Sequence, residues 1–92
     1  MRWTVYILQC NDGSLYTGIT TDLAARIDAH NNGTGAKYTR PRRPVHLHYA
    51  EPAADRSAAS KREHQIKRLS RQAKLELTIT AGPPVPPRRS NP

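Results

Sequence analysis

The fold is decided by residues 3–20, which read WTVYILQCNDGSLYTGIT. The first eight residues are rich in β-branched and aromatic side chains, which predicts a strand, and residues 15–20 predict a second one. The segment NDGS at 11–14 is a strong turn signal, so the two strands should form an antiparallel hairpin. This hairpin carries two tyrosines, Tyr6 and Tyr16, on neighbouring strands.

The length of the turn decides whether the two tyrosines share a face of the sheet. A two-residue turn at 12–13 would pair Tyr16 with Gln9 and place Tyr6 on the opposite face, because side chains alternate along a strand. A connection of odd length, or a bulge near Gly18, would bring both phenols to one face. The sequence leaves these alternatives open.

A helix should follow the hairpin. Thr21 or Asp22 can cap its N-terminus, Leu23 and Ile27 belong to its inner face, and the segment NNG at 31–33 ends it. A loop rich in arginine and proline then leads to the second half of the chain.

The second half predicts one more strand and one or two helices. Apolar residues alternate with histidines over residues 45–50, so the apolar side chains should share the buried face and the histidines should be exposed. A helical stretch starts at Asp55 or Ser57, and Ser70 can divide it. The predicted fold class is α/β of the α+β type. It has a small three-stranded antiparallel sheet flanked by helices, in the order β-β-α-β-α(-α).

Composition restricts the kind of partner. The chain has 92 residues, a formal charge of +8 and a pI near 10.4, which favours one domain that binds polyanions, nucleic acid first. No segment combines a wide apolar face with a basic one, so we expect no membrane partner. We also expect no obligate protein partner. The single cysteine, Cys10, rules out an internal disulfide and indicates a cytoplasmic protein. We assign residues 1–81 to the domain and predict a disordered, proline-rich tail at 82–92.

Over about residues 3–80 the order of motifs resembles the GIY-YIG nuclease superfamily, in particular its small stand-alone bacterial members. These are related to the nuclease domain of structure-specific endonucleases. The resemblance is carried by residues spread along the whole domain: Thr4-Val5-Tyr6, Tyr16-Thr17-Gly18-Ile19-Thr20, Asp22-Leu23, Arg26, His30-Asn31, Gly35-Ala36-Lys37-Tyr38-Thr39, Pro44 and Glu63. The chain departs from the family pattern at Thr4, where relatives carry glycine, and by having no asparagine over residues 70–81.

The resemblance implies a metal-dependent endonuclease that hydrolyses DNA phosphodiester bonds and selects its substrate by structure rather than sequence. In such a site Tyr6 and Tyr16 would flank the scissile phosphate and Arg26 would bind it. Glu63 would hold one Mg²⁺ or Mn²⁺. The DNA could be branched or single-stranded, and RNA stays an alternative substrate. The alternative function is a non-catalytic, basic nucleic-acid-binding module with the same fold.

The chemistry of the individual residues leaves other roles open. Arg26 and His30 are four residues apart and share a helix face, which suits either a solvated basic surface or a phosphate site. The general base could be Tyr6, Tyr16 or His30. Glu63 closes the pattern Ser-Lys-Arg-Glu at 60–63, so it could also be a helix cap rather than a metal ligand.

The loop before the third strand is the predicted nucleic-acid-binding segment. It combines cations with an aromatic side chain, which suits either phosphate binding with base stacking or ordinary solubility. The candidate residues are Lys37, Tyr38, Arg40, Arg42 and Arg43.

Overall fold

The computed structural model describes residues 2–77, so the predicted tail at 82–92 lies outside the described residues. The elements in chain order are β1 (Trp3–Gln9), β2 (Leu15–Thr20), α1 (Leu23–Asn32), a short 3₁₀ turn (Arg40–Arg42), β3 (His46–Ala53), α2 (Arg56–Lys67) and α3 (Arg71–Glu76). The strands form one antiparallel sheet in the order β2-β1-β3. The predicted α+β fold is confirmed. No helix within residues 2–77 is long and apolar enough to cross a bilayer.

Five residues, 10–14, connect β1 to β2, and Cys10 and Ser14 close a three-residue turn at 11–13. The Cys10 N–H donates to the Ser14 carbonyl at 2.8 Å, and the Gly13 N–H donates to the Cys10 carbonyl at 2.9 Å. Gly13 has a φ of 86°, which a glycine adopts without steric cost. The connection is therefore of odd length, so Tyr16 pairs with Leu8 rather than with Gln9.

This register puts the two tyrosines on the same face of the sheet. Tyr6 pairs with Gly18 and Leu8 pairs with Tyr16, and directly opposite residues in an antiparallel pair share a face. Tyr6 and Leu8 are two residues apart on β1, so they share that face as well.

The third strand departs from the predicted alternation. Ile7 pairs with Tyr49, but its neighbour Leu8 pairs with Leu47, so β3 contains a bulge at His48. Leu47 therefore packs in the cluster around Tyr6, whereas Tyr49 packs against the cluster on the other face. The prediction that the apolar residues of this strand share one face was wrong. So was the prediction of an exposed His48: its ring is half-buried, with Nε2 3.3 Å from the Lys74 carbonyl oxygen.

The sheet separates two hydrophobic clusters. On one face, Leu23 and Ile27 of α1 pack against a cluster built on Tyr6 and Leu8. On the other face, Ala59 and Ile66 of α2 pack against the remaining β1 side chains. The opposite faces of β1 thus give each helix its own core.

The helix boundaries follow from side-chain caps. Asp22 caps α1 by accepting from the Ala25 N–H at 3.1 Å, and Asp55 caps α2 by accepting from the Ala58 N–H at 2.8 Å. Ser70 caps α3, so it does divide the helical stretch. Because α2 begins at Arg56, Glu63 lies in the helix interior, and its alternative role as a helix cap was wrong.

Asn31 fastens the end of α1 to the start of β3. Its Nδ2 donates to the Val45 carbonyl at 3.1 Å, and the Val45 N–H donates to its Oδ1 at 2.7 Å. This pair of bonds fixes both ends of the intervening loop, residues 33–44, against the face of the sheet that carries the tyrosines.

Candidate active site

A buried chain of hydrogen bonds links β1, α1 and the loop. The Tyr6 hydroxyl lies 3.1 Å from His30 Nε2, and His30 Nδ1 lies 2.8 Å from Thr39 Oγ1. Thr39 Oγ1 in turn donates to the Ala36 carbonyl oxygen at 2.9 Å. His30 and Thr39 are fully buried, and Tyr6 is 1% exposed. The alternative of a solvated histidine on α1 therefore does not apply to His30.

The chain of hydrogen bonds fixes the position of each proton. A carbonyl oxygen only accepts, so the single hydroxyl hydrogen of Thr39 points to Ala36. Thr39 Oγ1 must then accept from His30 Nδ1, which leaves the lone pair on Nε2 to accept from the Tyr6 hydroxyl. The phenol proton of Tyr6 thus points at a nitrogen that is ready to receive it.

Burial keeps both members of the Tyr6–His30 pair neutral. Burial raises the pKa of Tyr6 above its ordinary value of 10.0, although the Arg26 guanidinium opposes this as a hydrogen-bond donor and by its charge. Burial also lowers the pKa of His30 below 6.5, and the charge of Arg26 lowers it further. Proton transfer from Tyr6 to His30 therefore needs additional charge near the pair.

Two glycines make room for this pair. A Cβ on Gly18 would lie 2.5 Å from the Tyr6 hydroxyl oxygen, and one on Gly35 would lie 2.6 Å from His30 Nδ1. Both distances are too short for any side chain. The glycines at these positions are needed because Tyr6 and His30 pack directly onto the backbone.

Two more aromatic rings extend the site toward solvent. The Tyr16 ring centroid lies 6.4 Å from that of Tyr6 and 5.1 Å from that of His30, and the Tyr38 ring stacks on Tyr16 at 6.1 Å. The guanidinium carbon of Arg42 lies 4.0 Å from the centre of the Tyr38 ring. Tyr38 is nevertheless 41% exposed. The rings of Tyr6, His30, Tyr16 and Tyr38 thus lead from the core to the surface.

Glu63 reaches the site from α2, which packs on the other face of the sheet and also against β2. Its carboxylate is among the charges that raise the pKa of Tyr6, although its effect is smaller than those of Tyr16 and Arg26. The side chain is 18% exposed, and its Oε2 lies 3.1 Å from the ammonium of Lys67, one helical turn away. Glu63 is therefore a half-buried carboxylate at the edge of the tyrosine cluster.

The donor set suits magnesium or manganese better than zinc. Within residues 2–77, no group of three or more His, Cys, Asp or Glu side chains is placed to hold a metal ion. Mg²⁺ keeps several waters and is commonly held by one or two carboxylates together with substrate phosphates. Glu63 can supply one such carboxylate. Lys67 would have to release the carboxylate oxygen that it binds.

The structure divides the predicted nucleic-acid-binding residues into two groups. Arg42 is used internally, with Nε 3.0 Å from Asp12 Oδ2 and Nη1 donating to the Tyr38 carbonyl at 2.7 Å. Arg43 likewise donates to the Arg40 carbonyl at 2.8 Å. The side chains of Lys37 and Arg40 are exposed, and within residues 2–77 neither makes a hydrogen bond or an ion pair. Among the loop cations, these two are therefore the ones whose side chains have no partner within residues 2–77.

Nothing in the sequence indicated the role of Thr39. It stands among exposed cations in a loop, where a threonine is normally a solvated residue, yet it is buried and orients His30. The sequence also did not indicate that the Gly35 backbone lies against the His30 ring. The available signal was the order of residues 35–39 within the motif, which marks the segment but not the direction in which each side chain points.

Comparisons with known protein families, sequences and structures agree on one family for this chain. Residues 2–76 match the family model described as the GIY-YIG catalytic domain. A UPF0213 protein of Staphylococcus aureus is 58% identical over 73 residues, which cover 79% of this chain and 89% of that protein. The name of this relative states no activity.

Two solved structures resemble the chain. The solution NMR structure of the UPF0213 protein BH0048 from Bacillus halodurans has a TM-score of 0.52 at 46% identity, covering 83% of this chain and 81% of that one. The solution NMR structure of EF2693 from E. faecalis has a TM-score of 0.58 at 42% identity, with the same coverage of 83% and 81%. Both agree with the α+β fold of this chain.

Acid should destabilise the protein through His30. Its folded pKa is below 6.5, so its contribution to stability is complete above that value and is lost as the pH falls through the folded pKa. We expect the Tm to fall as the pH drops below about 6.5, and to fall less in His30→Gln, which cannot titrate. Thermal unfolding followed by circular dichroism measures this. The exposed His46→Gln is the control and should keep the wild-type dependence. An unchanged pH dependence in His30→Gln would contradict the assignment.

Proposed function

Because the chain belongs to the GIY-YIG nuclease superfamily, we propose that it is a metal-dependent endonuclease that hydrolyses DNA phosphodiester bonds. The observation that carries the proposal is the buried Tyr6–His30–Thr39 chain, in which the Tyr6 phenol donates to an unprotonated Nε2 of His30. Any buried tyrosine hydroxyl needs a hydrogen-bond partner, but here the partner is a titratable imidazole that can take up the phenol proton. The arrangement supports a tyrosine that takes a proton from water and passes its own to histidine.

The proposed reaction uses Tyr6 as the proton relay. A water held near Tyr6 and Tyr16 attacks phosphorus and gives up one proton to the Tyr6 oxygen, while the proton of Tyr6 moves to His30 Nε2. The bond from phosphorus to the leaving oxygen breaks, and that oxygen keeps the electron pair until it is protonated. His30 is fully buried, so it then returns its proton to the Tyr6 oxygen, and Tyr6 passes one proton to the water beside it, which restores the starting hydrogen-bond chain. Tyr6 is favoured over Tyr16 as the relay because its hydroxyl contacts His30.

Arg26 and a metal ion held by Glu63 would act on the Tyr6 side of the buried pair. Arg26 lies close enough to Tyr6 to lower its pKa, so it favours the phenolate form and can also neutralise the extra charge on the phosphate in the transition state. Glu63 would hold one Mg²⁺ or Mn²⁺. When bound, such an ion acts as a Lewis acid that stabilises charge on the phosphate and the leaving oxygen.

Selectivity for structure over sequence follows from the kind of contact the surface offers. The loop cations without a partner within residues 2–77, Lys37 and Arg40, can bind phosphates, and phosphate contacts carry no sequence information. The formal charge of +8 adds attraction that does not depend on sequence. We place the activity in the cytoplasm, because the only cysteine is unpaired and buried.

Glu63→Gln tests the proposed function most sharply. The amide keeps the size of the side chain and its hydrogen bonding but removes the charge that would hold the metal. We expect Mg²⁺-dependent cleavage to fall by orders of magnitude while DNA binding is kept or tightened. The experiment measures cleavage of flaps, junctions, single strands and duplexes with and without Mg²⁺, together with DNA affinity and thermal unfolding.

Glu76→Gln is the matched control, because Glu76 is an exposed carboxylate on α3. This variant should cleave like the wild type. Full cleavage by Glu63→Gln, or no Mg²⁺-dependent cleavage of any substrate by the wild type, would contradict the proposal and favour a non-catalytic binding module.

The basic loop makes a second prediction. Replacing Lys37 and Arg40 with Ala should weaken DNA binding and reduce the slope of log affinity against log salt by about one for each phosphate that is no longer bound. The same change at Arg42 should instead lower the Tm, because it breaks the bonds to Asp12 and Tyr38. Fluorescence anisotropy over a series of salt concentrations measures the slope. An unchanged slope in the Lys37/Arg40 variant would mean that DNA phosphates are bound elsewhere on the protein.

A further inference from the structure

A cleft beside the tyrosine cluster has no role in the proton relay. It has a volume of about 300 Å³, at the lower end of the range for small-ligand sites. Tyr16 and Tyr38 form its aromatic wall, and the other lining residues are Leu15, Thr17 and two cations, Lys67 and Lys74. An aromatic wall facing two ammonium groups suits a flat ring that is attached to a phosphate.

From this arrangement we propose that the cleft binds one unpaired nucleotide of the DNA strand that is cut. The base would pack against Tyr38, and Lys74 and Lys67 would bind the flanking phosphates. This inference rests on the proposed function, which it makes more specific: the substrate is single-stranded at the position next to the cleaved bond. A paired base cannot occupy the cleft, because its faces are covered by its neighbours in the duplex.

The position of the cleft supports this assignment. Tyr16 lines it and also contacts the His30 ring, at 5.1 Å between centroids. A nucleotide in the cleft is therefore adjacent to any phosphate held between Tyr6 and Tyr16. Lys67 lies in the same cleft with its ammonium 3.1 Å from Glu63 Oε2, so a phosphate there would compete with Glu63 for this lysine.

The Tyr38 ring is already held in place before any ligand binds. It stacks on Tyr16, and the guanidinium of Arg42 lies over it, itself fixed by Asp12 at 3.0 Å. Yet 41% of the residue is exposed, so a ligand can reach part of it. The exposed part of a ring that is already fixed can pack against a base with little loss of conformational freedom.

Binding of fluorescent oligonucleotides without divalent metal tests the proposal. The probes are a thymidine single strand, an abasic single strand and a duplex of the same length. Tyr38→Leu should lower the affinity for the thymidine strand about fivefold or more, and leave the abasic strand and the duplex within about twofold. Tyr38→Phe keeps the ring and should bind like the wild type. Lys74→Ala should weaken both single strands, whereas the exposed Lys61→Ala serves as the control of equal charge.

Equal losses of affinity for all three probes in Tyr38→Leu, or no loss for the thymidine strand, would overturn the proposal. So would a Lys74→Ala variant that binds single strands no more weakly than Lys61→Ala. No cleavage occurs in these measurements, so the result stands apart from the nuclease assay. A cleft that binds the thymidine strand as expected in a protein that does not cleave would refute the proposed function alone.

Discussion

The hydrogen bond between Tyr6 and His30 is the interaction on which the rest of the site depends. It joins the central strand of the sheet to the last turn of α1 in the buried interior. Each polar atom there needs a hydrogen-bond partner within the protein. Thr39 Oγ1 is the hydrogen-bond partner of Nδ1, on the far side of the imidazole. The absence of side chains at Gly18 and Gly35 allows the two rings to approach the backbone.

The same burial determines how the site must work. Both Tyr6 and His30 are held neutral, by pKa shifts in opposite directions whose main cause is desolvation. A neutral pair is stable in the free protein, and it avoids an unpaired buried charge that would cost several kcal/mol. The pair becomes a proton relay only when charge arrives from outside. Arg26 already favours loss of the Tyr6 proton, although it also lowers the pKa of His30. The ion pair of Lys67 with Glu63 keeps this nearby carboxylate occupied until a ligand competes for it.

Sequence patterns predicted the elements well because local signals determine them. The turn residues at 11–14, the caps Asp22, Asp55 and Ser70, and Gly33 each act within a few residues of their own position. The face on which Leu47 and Tyr49 lie was not predictable in this way. A bulge changes the face of every residue beyond it, and its position depends on packing against β1 rather than on local sequence.

The candidate site was predictable in its membership but not in its connections. The family motif named Tyr6, Tyr16, Arg26, His30 and Glu63, and their catalytic roles stay predictions. It could not indicate that Thr39 turns inward, because this depends on the path of the loop. Nor could it indicate that Asp12 holds Arg42, because these two residues are far apart in the chain. Burial and long-range hydrogen bonds are properties of the folded chain, and motif spacing does not contain them.

The tautomer of His30 decides whether the proton relay can operate. It is measured by the ¹⁵N chemical shifts and long-range ¹H–¹⁵N couplings of the imidazole at neutral pH. The hydrogen-bond chain requires a proton on Nδ1 and a bare Nε2. Thr39→Val removes the acceptor for that proton and should lower the population of this tautomer. A proton found on Nε2 in the wild-type protein, with Nδ1 bare or also protonated, would contradict the relay from Tyr6 to His30.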